Sequence, residues 1–228
     1  MQQQCLPLHL EDQPSFTNFY CSSPYTSALI SHLKNYNQQG QPLIVYGDSG
    51  CGKSHLLKAA CLHSQRLWVY LPGKTLHRFN PDLLHNLQQH LLCIDDIQHL
   101  LGNPTWEHSL FHALTSHTKN RVLFSYNNSN TLEKCQLQDL RSRLQAMLHL
   151  QLQPLNENEQ IQALEHRAQH KGLSLNTQCA VWMLQNTPRN NHSLFKLLTQ
   201  LDQHCLKTKR KPTISILKDL VEQNSATV

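Results

Sequence analysis

Gly47-Asp48-Ser49-Gly50-Cys51-Gly52-Lys53-Ser54 is a full match to the pattern G-x-x-x-x-G-K-[ST]. It follows the apolar run Leu43-Ile44-Val45-Tyr46 and opens the helical pattern Leu56 to Leu62, the strand–loop–helix context that the pattern requires. In that setting the backbone N–H groups of Gly47, Gly50, Cys51 and Gly52 wrap a β-phosphate, and the helix N-terminus adds its positive dipole end. Gly52 permits close backbone approach. Lys53 neutralises β- and γ-phosphate oxygens, and Ser54 offers a hydroxyl to Mg²⁺. A chance glycine turn would not carry the strand before it and the helix after it.

Further apolar runs lie outward from this loop at Leu67 to Leu71, Leu91 to Ile94, Val122 to Ser125 and Met147 to Leu152. Runs apolar at successive positions suit strands covered on both faces. Leu83 to Leu87 and Trp106 to Leu114 read as intervening helices, with Asn80-Pro81 and Pro104-Thr105 as starts. Ser23-Pro24 opens a helix before the first strand, and 37–42 reads as a turn. Strands alternating with helices predict an α/β domain with a parallel sheet.

The pattern becomes purely helical after Pro154. Asn156-x-x-Glu159 predicts a capped helix ending near Gly172. Asn176 caps a second, a third carries Leu194, Phe195, Leu198 and Leu201, and Thr213 caps a last one. The expected division is a flexible tail over 1–14, an αβα nucleotide-binding domain over 15–153, and a small all-helical lid over 154–228.

The third strand ends in Asp95-Asp96. The first carboxylate is placed to join Ser54 at Mg²⁺, and the second to orient an attacking water, although two Asp after a strand also cap helices. Ser125-Tyr126-Asn127 ends the fourth strand, where Asn127 would touch a γ-phosphate or water. Ser and Asn are also ordinary turn residues there.

Composition narrows the classes. The chain has 228 residues, a net charge of +5 and only seven glycines. Such mild charge does not imply strong direct DNA binding. Lys207-x-Lys209-Arg210-Lys211 reads as a solvated interhelical loop. Eight cysteines without a Cys-x-x-Cys pair, no cationic-then-apolar start and no long apolar segment lead to the expectation of a cytoplasmic protein, away from membranes. His108/His112 and His166/His170 each fit one helix face, but lack the carboxylate or cysteine partners of a metal site.

Phe16-x-x-Phe19-Tyr20, the loop helix through Ala59-Ala60, Leu92-Cys93-Ile94-Asp95-Asp96-Ile97, Asp139-Leu140-x-Ser142-Arg143-Leu144 and Leu150-x-Leu152-x-Pro154-Leu155 together resemble the AAA+ region of the bacterial replication initiator DnaA. The similarity runs from residue 15 to about 223. It stops where DnaA would continue into a helix-turn-helix domain, and no basic recognition helix follows Val221. That truncated plan is similar to the Hda family of DnaA-homologous regulators, as are Arg167-Ala168 with Lys171-Gly172-Leu173, and Leu201-Asp202-Gln203.

The resemblance implies a negative regulator of replication initiation. It would bind the sliding clamp, the β subunit of DNA polymerase III, and stimulate hydrolysis of ATP bound to DnaA, leaving inactive ADP-DnaA. Gln3-Gln4-Cys5-Leu6-Pro7-Leu8 looks like the family's clamp-binding motif. Gln3, Leu6, Pro7 and Leu8 match it, and Gln4 stands where Leu is preferred. The bland alternative is a disordered tail with a chance apolar patch.

By resemblance Arg143 is an arginine finger acting in trans, with Arg141 as a nearby competitor and a surface ion pair as the bland alternative. His192 occupies the family's nucleotide-sensing Arg position, and Arg189 lies three residues earlier. The implied cofactors are ADP or ATP with Mg²⁺, and homo-oligomers are compatible. The chain reads as a regulatory factor more than as an efficient ATPase. The alternative is an autonomous AAA+ ATPase, such as a helicase loader or remodeller, with Asp96 catalytic.

Overall fold

The computed structural model describes residues 13–36, 41–64, 67–87, 91–116, 122–188 and 191–225. Five strands form one sheet: β1 (Leu43–Tyr46), β2 (Trp68–Pro72), β3 (Leu91–Asp95), β4 (Val122–Tyr126) and β5 (Leu148–Gln151). They lie in the order β2-β3-β4-β1-β5, and every pairing is parallel.

The apolar runs form strands because both faces of the sheet are covered. Side chains alternate across it. Leu43, Val45, Leu91, Cys93 and Leu123 enter one core with α1 (Pro24–Lys34) and α2 (Lys53–His63). Ile44, Leu92, Ile94, Val122 and Phe124 enter the opposite core with α4 (Pro104–Ser116) and α5 (Gln138–Gln145). The central strands β3 and β4 are buried throughout, whereas the edge strands β2 and β5 are partly exposed.

Capping follows the sequence closely. Ser23 Oγ accepts from Thr26 N at 3.2 Å, with Pro24 in the first turn of α1. One expected helix differs in kind. After the single-turn α3 (Gly73–Leu76), Pro81–Leu87 is a 3₁₀ helix. Leu83 N bonds Asn80 O at 3.1 Å, and Leu84 alone of that segment is fully buried, with Leu83 and Leu87 only partly buried against the core.

The lid comprises α6 (Glu157–His170), α7 (Thr177–Asn186), α8 (Asn191–Thr208) and α9 (Ile214–Ser225). Asn156 and Glu159 form a reciprocal capping box at 2.9 and 2.8 Å. Gly172, at φ 72°, lets the chain leave α6 while Leu173 N returns to Ala168 O at 2.9 Å. The lid has its own apolar core, from Leu164 and Ala168 through Met183, Leu198 and Leu201 to Leu217. Lys171 and Asp202, both largely buried, pair at 3.9 Å and tie the end of α6 to α8.

Candidate functional site

The C-terminal ends of β1, β3 and β4 open on one side of the sheet, and the lid folds over them. Between sheet and lid lies a cleft of about 650 Å³. The phosphate loop forms its floor. At Gly47, φ is 154° and an added Cβ would lie 2.1 Å from Leu152 O, so only glycine lets the loop leave β1 beside β5. At Gly52, φ is 108° and a Cβ would meet the Phe19 ring at 2.7 Å. Gly52 is the N-cap of α2 and has no side chain to satisfy the first N–H groups of that helix, which suits an anion.

Lys53 is buried, and its ammonium donates to the carbonyls of Gly47 at 2.7 Å and Asp48 at 2.9 Å. Its charge is therefore held at the loop centre by the loop's own backbone. The Cys51 sulfur lies 4.0 Å from the same ammonium, and burial raises its thiol pKa.

Asp95, nearly inaccessible at the end of β3, accepts from Tyr70 Oη at 2.5 Å and from Ser125 Oγ. Ser125 Oγ also accepts from Asp96 N at 2.8 Å, so β4 pins the β3 terminus. Burial, then the Asp95 carboxylate, push the Tyr70 phenol above its ordinary pKa and keep it a donor. Asp96 takes a left-handed backbone (φ 58°, ψ 54°) and turns into the cleft, where its carboxylate lies 3.8 Å from Lys74 Nζ.

Ser54, Asp96 and Asn127 all line the cleft, whereas the buried Asp95 is not among its lining residues. Ser54, Asp95 and Asp96 offer only oxygen donors, a set that fits Mg²⁺. Phe19, Tyr20, Leu152, Leu155 and Phe195 give the cleft an apolar side large enough for a ring.

The lid contributes groups whose roles the sequence did not signal. Asn191 Nδ2 donates to Gly50 O at 2.9 Å, and Gln160 Nε2 donates to Asn191 Oδ1 at 3.2 Å. Arg167 lines the cleft and donates to Asn18 O at 3.2 Å, while Tyr20 Oη donates to Gln162 Oε1. His192 lines the cleft at the first turn of α8, its side chain exposed. Arg189 lies outside the described residues, as do Gln3, Leu6, Pro7 and Leu8 of the tail.

Arg143 lies elsewhere. It is exposed on α5, is not among the cleft-lining residues, and stacks its guanidinium 5.1 Å from the centre of the Phe111 ring. Arg141 on the same helix is half-buried. Of the basic run, Lys207 lies in the last turn of α8 and only Lys209, Arg210 and Lys211 lie between α8 and α9, all exposed. Among the described residues no three His, Cys, Asp or Glu side chains group as a metal site, and no helix is long and apolar enough to cross a membrane.

The family described as "Hda, lid domain" matches residues 157–221. A Haemophilus influenzae relative, an uncharacterized protein, is 34% identical over 224 residues, spanning 95% of this chain and 96% of its own. The chain belongs to the Hda family. Its fold is that of DnaA-like AAA+ proteins. Domain III of the Thermotoga maritima replication initiation protein DnaA superposes with a TM-score of 0.74 at 20% identity, covering 93% of this chain and 97% of that one. AMPPCP-bound DnaA from Aquifex aeolicus gives 0.67 at 17% identity, covering 85% and 66%. The Thermotoga maritima RuvB branch migration motor gives 0.67 at 16%, covering 92% and 71%. The Hda lid of this chain thus sits on an AAA+ body shared with initiators and motors alike.

Proposed function

We propose that this Hda-family protein is a regulatory factor that binds an adenine nucleotide in its cleft, docks on the sliding clamp through its tail, and presents Arg143 to the ATP held by DnaA. DnaA would then be left in its ADP form, and initiation would be restrained. The observation that carries this reading is the placement of Arg143, exposed and not among the residues that line the protein's own cleft, in a chain whose lid matches Hda. A guanidinium that does not line its own subunit's cleft would have to serve a nucleotide on another molecule. There it would neutralise charge spread over the transferred phosphoryl group. The test is phosphate release from DnaA preloaded with radiolabelled ATP, with this protein and DNA-loaded clamp added separately and together. Stimulation only with both supports the reading, and none with both overturns it.

Within the cleft, the proposed roles fall to the residues already placed. Loop N–H groups and Lys53 would hold the phosphates. Ser54 would bind Mg²⁺, with Asp95 and Asp96 ordering its shell, and Asn127 and His192 would face the phosphate end. The bound nucleotide supplies a polyanion that the lid and the loop grip together. Lys53→Ala should weaken ADP binding about 10–100-fold by isothermal titration. The ammonium exchanges backbone carbonyls for phosphate oxygens, so only the difference, on the order of one charged hydrogen bond at about 1.5–3 kcal/mol, is lost. Equal affinity in the two proteins would remove the assignment of the loop.

Asp96 in the cleft favours a second reading, that of an autonomous ATPase. It requires turnover by this protein alone, lost in Asp96→Asn. His192 weighs against it, because an imidazole lacks the planar charged fork of the Arg that the family places there.

A further inference from the structure

Helix α5, which carries Arg143, begins at a residue that cannot cap it. Leu137 is the N-cap position and offers no side-chain acceptor. The backbone N–H groups at that position and just before it are instead held by a carboxylate from 30 residues earlier. Glu107, in the first turn of α4, is completely buried. Its Oε2 accepts from Leu137 N at 2.7 Å and from Gln136 N at 3.0 Å, while Oε1 accepts from Gly102 N at 2.7 Å. A buried carboxylate holding three backbone N–H groups is a strong clamp, and it sits at the positive end of α5. Phe111 follows Glu107 by four residues, so both share one face of α4. Its ring lies 5.1 Å from the Arg143 guanidinium. Leu140 and Leu144 are buried in the core that α4 also enters through Trp106, Leu110 and Ala113.

A single face of α4 therefore fixes α5 twice, at its N-terminal backbone and at the planar end of Arg143. A free arginine on a surface helix samples many rotamers, and each rotamer that must be frozen on binding reduces the productive fraction. We propose that Glu107 and Phe111 are positioning residues for the trans reaction, with Glu107 setting the start of α5 and Phe111 holding the Arg143 fork extended toward the partner's nucleotide. This rests on the reading of Arg143 as a finger, and the experiment separates the two.

The measurement is the rate of hydrolysis of ATP on DnaA against concentration of this protein, with DNA-loaded clamp in excess, for Phe111→Leu, Phe111→Tyr, Glu107→Gln, Arg143→Ala and the Phe111→Leu/Arg143→Ala double variant. Phe111→Leu should lower the maximal rate about two- to fivefold and leave the half-saturating concentration within about twofold, as loss of an exposed cation–π support would. Phe111→Tyr, which keeps the aromatic face, should restore the rate. The double variant should be no slower than Arg143→Ala alone, because Phe111 acts only through that side chain. Glu107→Gln should also lower the maximal rate. If it fails to fold by thermal melting, the Phe111 series decides alone. A wild-type rate in Phe111→Leu beside a dead Arg143→Ala overturns the positioning proposal and leaves the finger intact. A wild-type rate in Arg143→Ala overturns both.

Discussion

Arg143→Ala should reduce stimulation of DnaA-bound ATP hydrolysis by several hundred-fold or more, the scale on which arginine fingers act. Everything on its own subunit should survive. The side chain is exposed and does not line the cleft, and its described contact is the face of Phe111, so thermal stability, nucleotide affinity and clamp binding should stay near wild type. Arg143→Lys should rescue little, because a point ammonium lacks the planar fork. Arg141→Ala should have a smaller effect, its side chain being half-buried against its own body. The assay uses radiolabelled ATP preloaded on DnaA with DNA-loaded clamp. Full stimulation by Arg143→Ala would sink the proposed mechanism, whatever the protein's other properties.

The second large effect concerns recruitment. Replacing Leu6 and Leu8 together with Ala should abolish co-elution with the clamp while leaving the circular dichroism spectrum and melting temperature unchanged. Two leucines seated in an apolar cleft carry roughly 3–6 kcal/mol between them, at about 1.5–3 kcal/mol each. That corresponds to a loss in affinity of two to four orders of magnitude, at about 1.4 kcal/mol per tenfold. Pro7 between them pre-extends the chain and lowers the entropy lost on docking. Gln4→Leu should move affinity the other way by filling the motif's remaining apolar position. Retained co-elution of the double variant would reduce the tail to a bystander.

The strands were legible because β3 and β4 are covered on both faces and so are written in unbroken apolar runs. The conformation of the loop over 47–54 was legible because its glycines answer local steric demands, such as the 2.1 Å contact that any side chain at Gly47 would make. The caps at Ser23, Asn156 and Asn176 were legible for the same reason, since each is settled within four residues. Glu107 was not legible. An acidic residue in the first turn of a helix reads as ordinary compensation of the helix dipole, and nothing local says that its acceptors serve N–H groups at 136 and 137. Asn191, Arg167 and Lys74 escaped for a related reason. They reach the cleft only when the lid and the end of β2 come together in space, and their spacing along the chain carries no period that announces it. Leu83 to Leu87 misled because its apolar residues have a helical look, while the core accepts only Leu84 fully.

The lid's apolar core is assembled wholly from its own helices, and the ties from lid to body described above are individual polar contacts at Gly50, Asn18 and Tyr20. Each neutral bond contributes about 0.5–1.5 kcal/mol and the one from Arg167 about 1.5–3 kcal/mol, too little to force two cores of this size to melt as one. Heating the ligand-free protein should therefore give a calorimetric trace broader than a single two-state transition, with the smaller lid losing its packing first. A nucleotide gripped from both sides stabilises only the state in which both halves are folded, so saturating ADP should draw the two steps together and sharpen the trace. In this molecule cooperativity would be a property conferred by the ligand, and the sharpness of melting a direct readout of cleft occupancy.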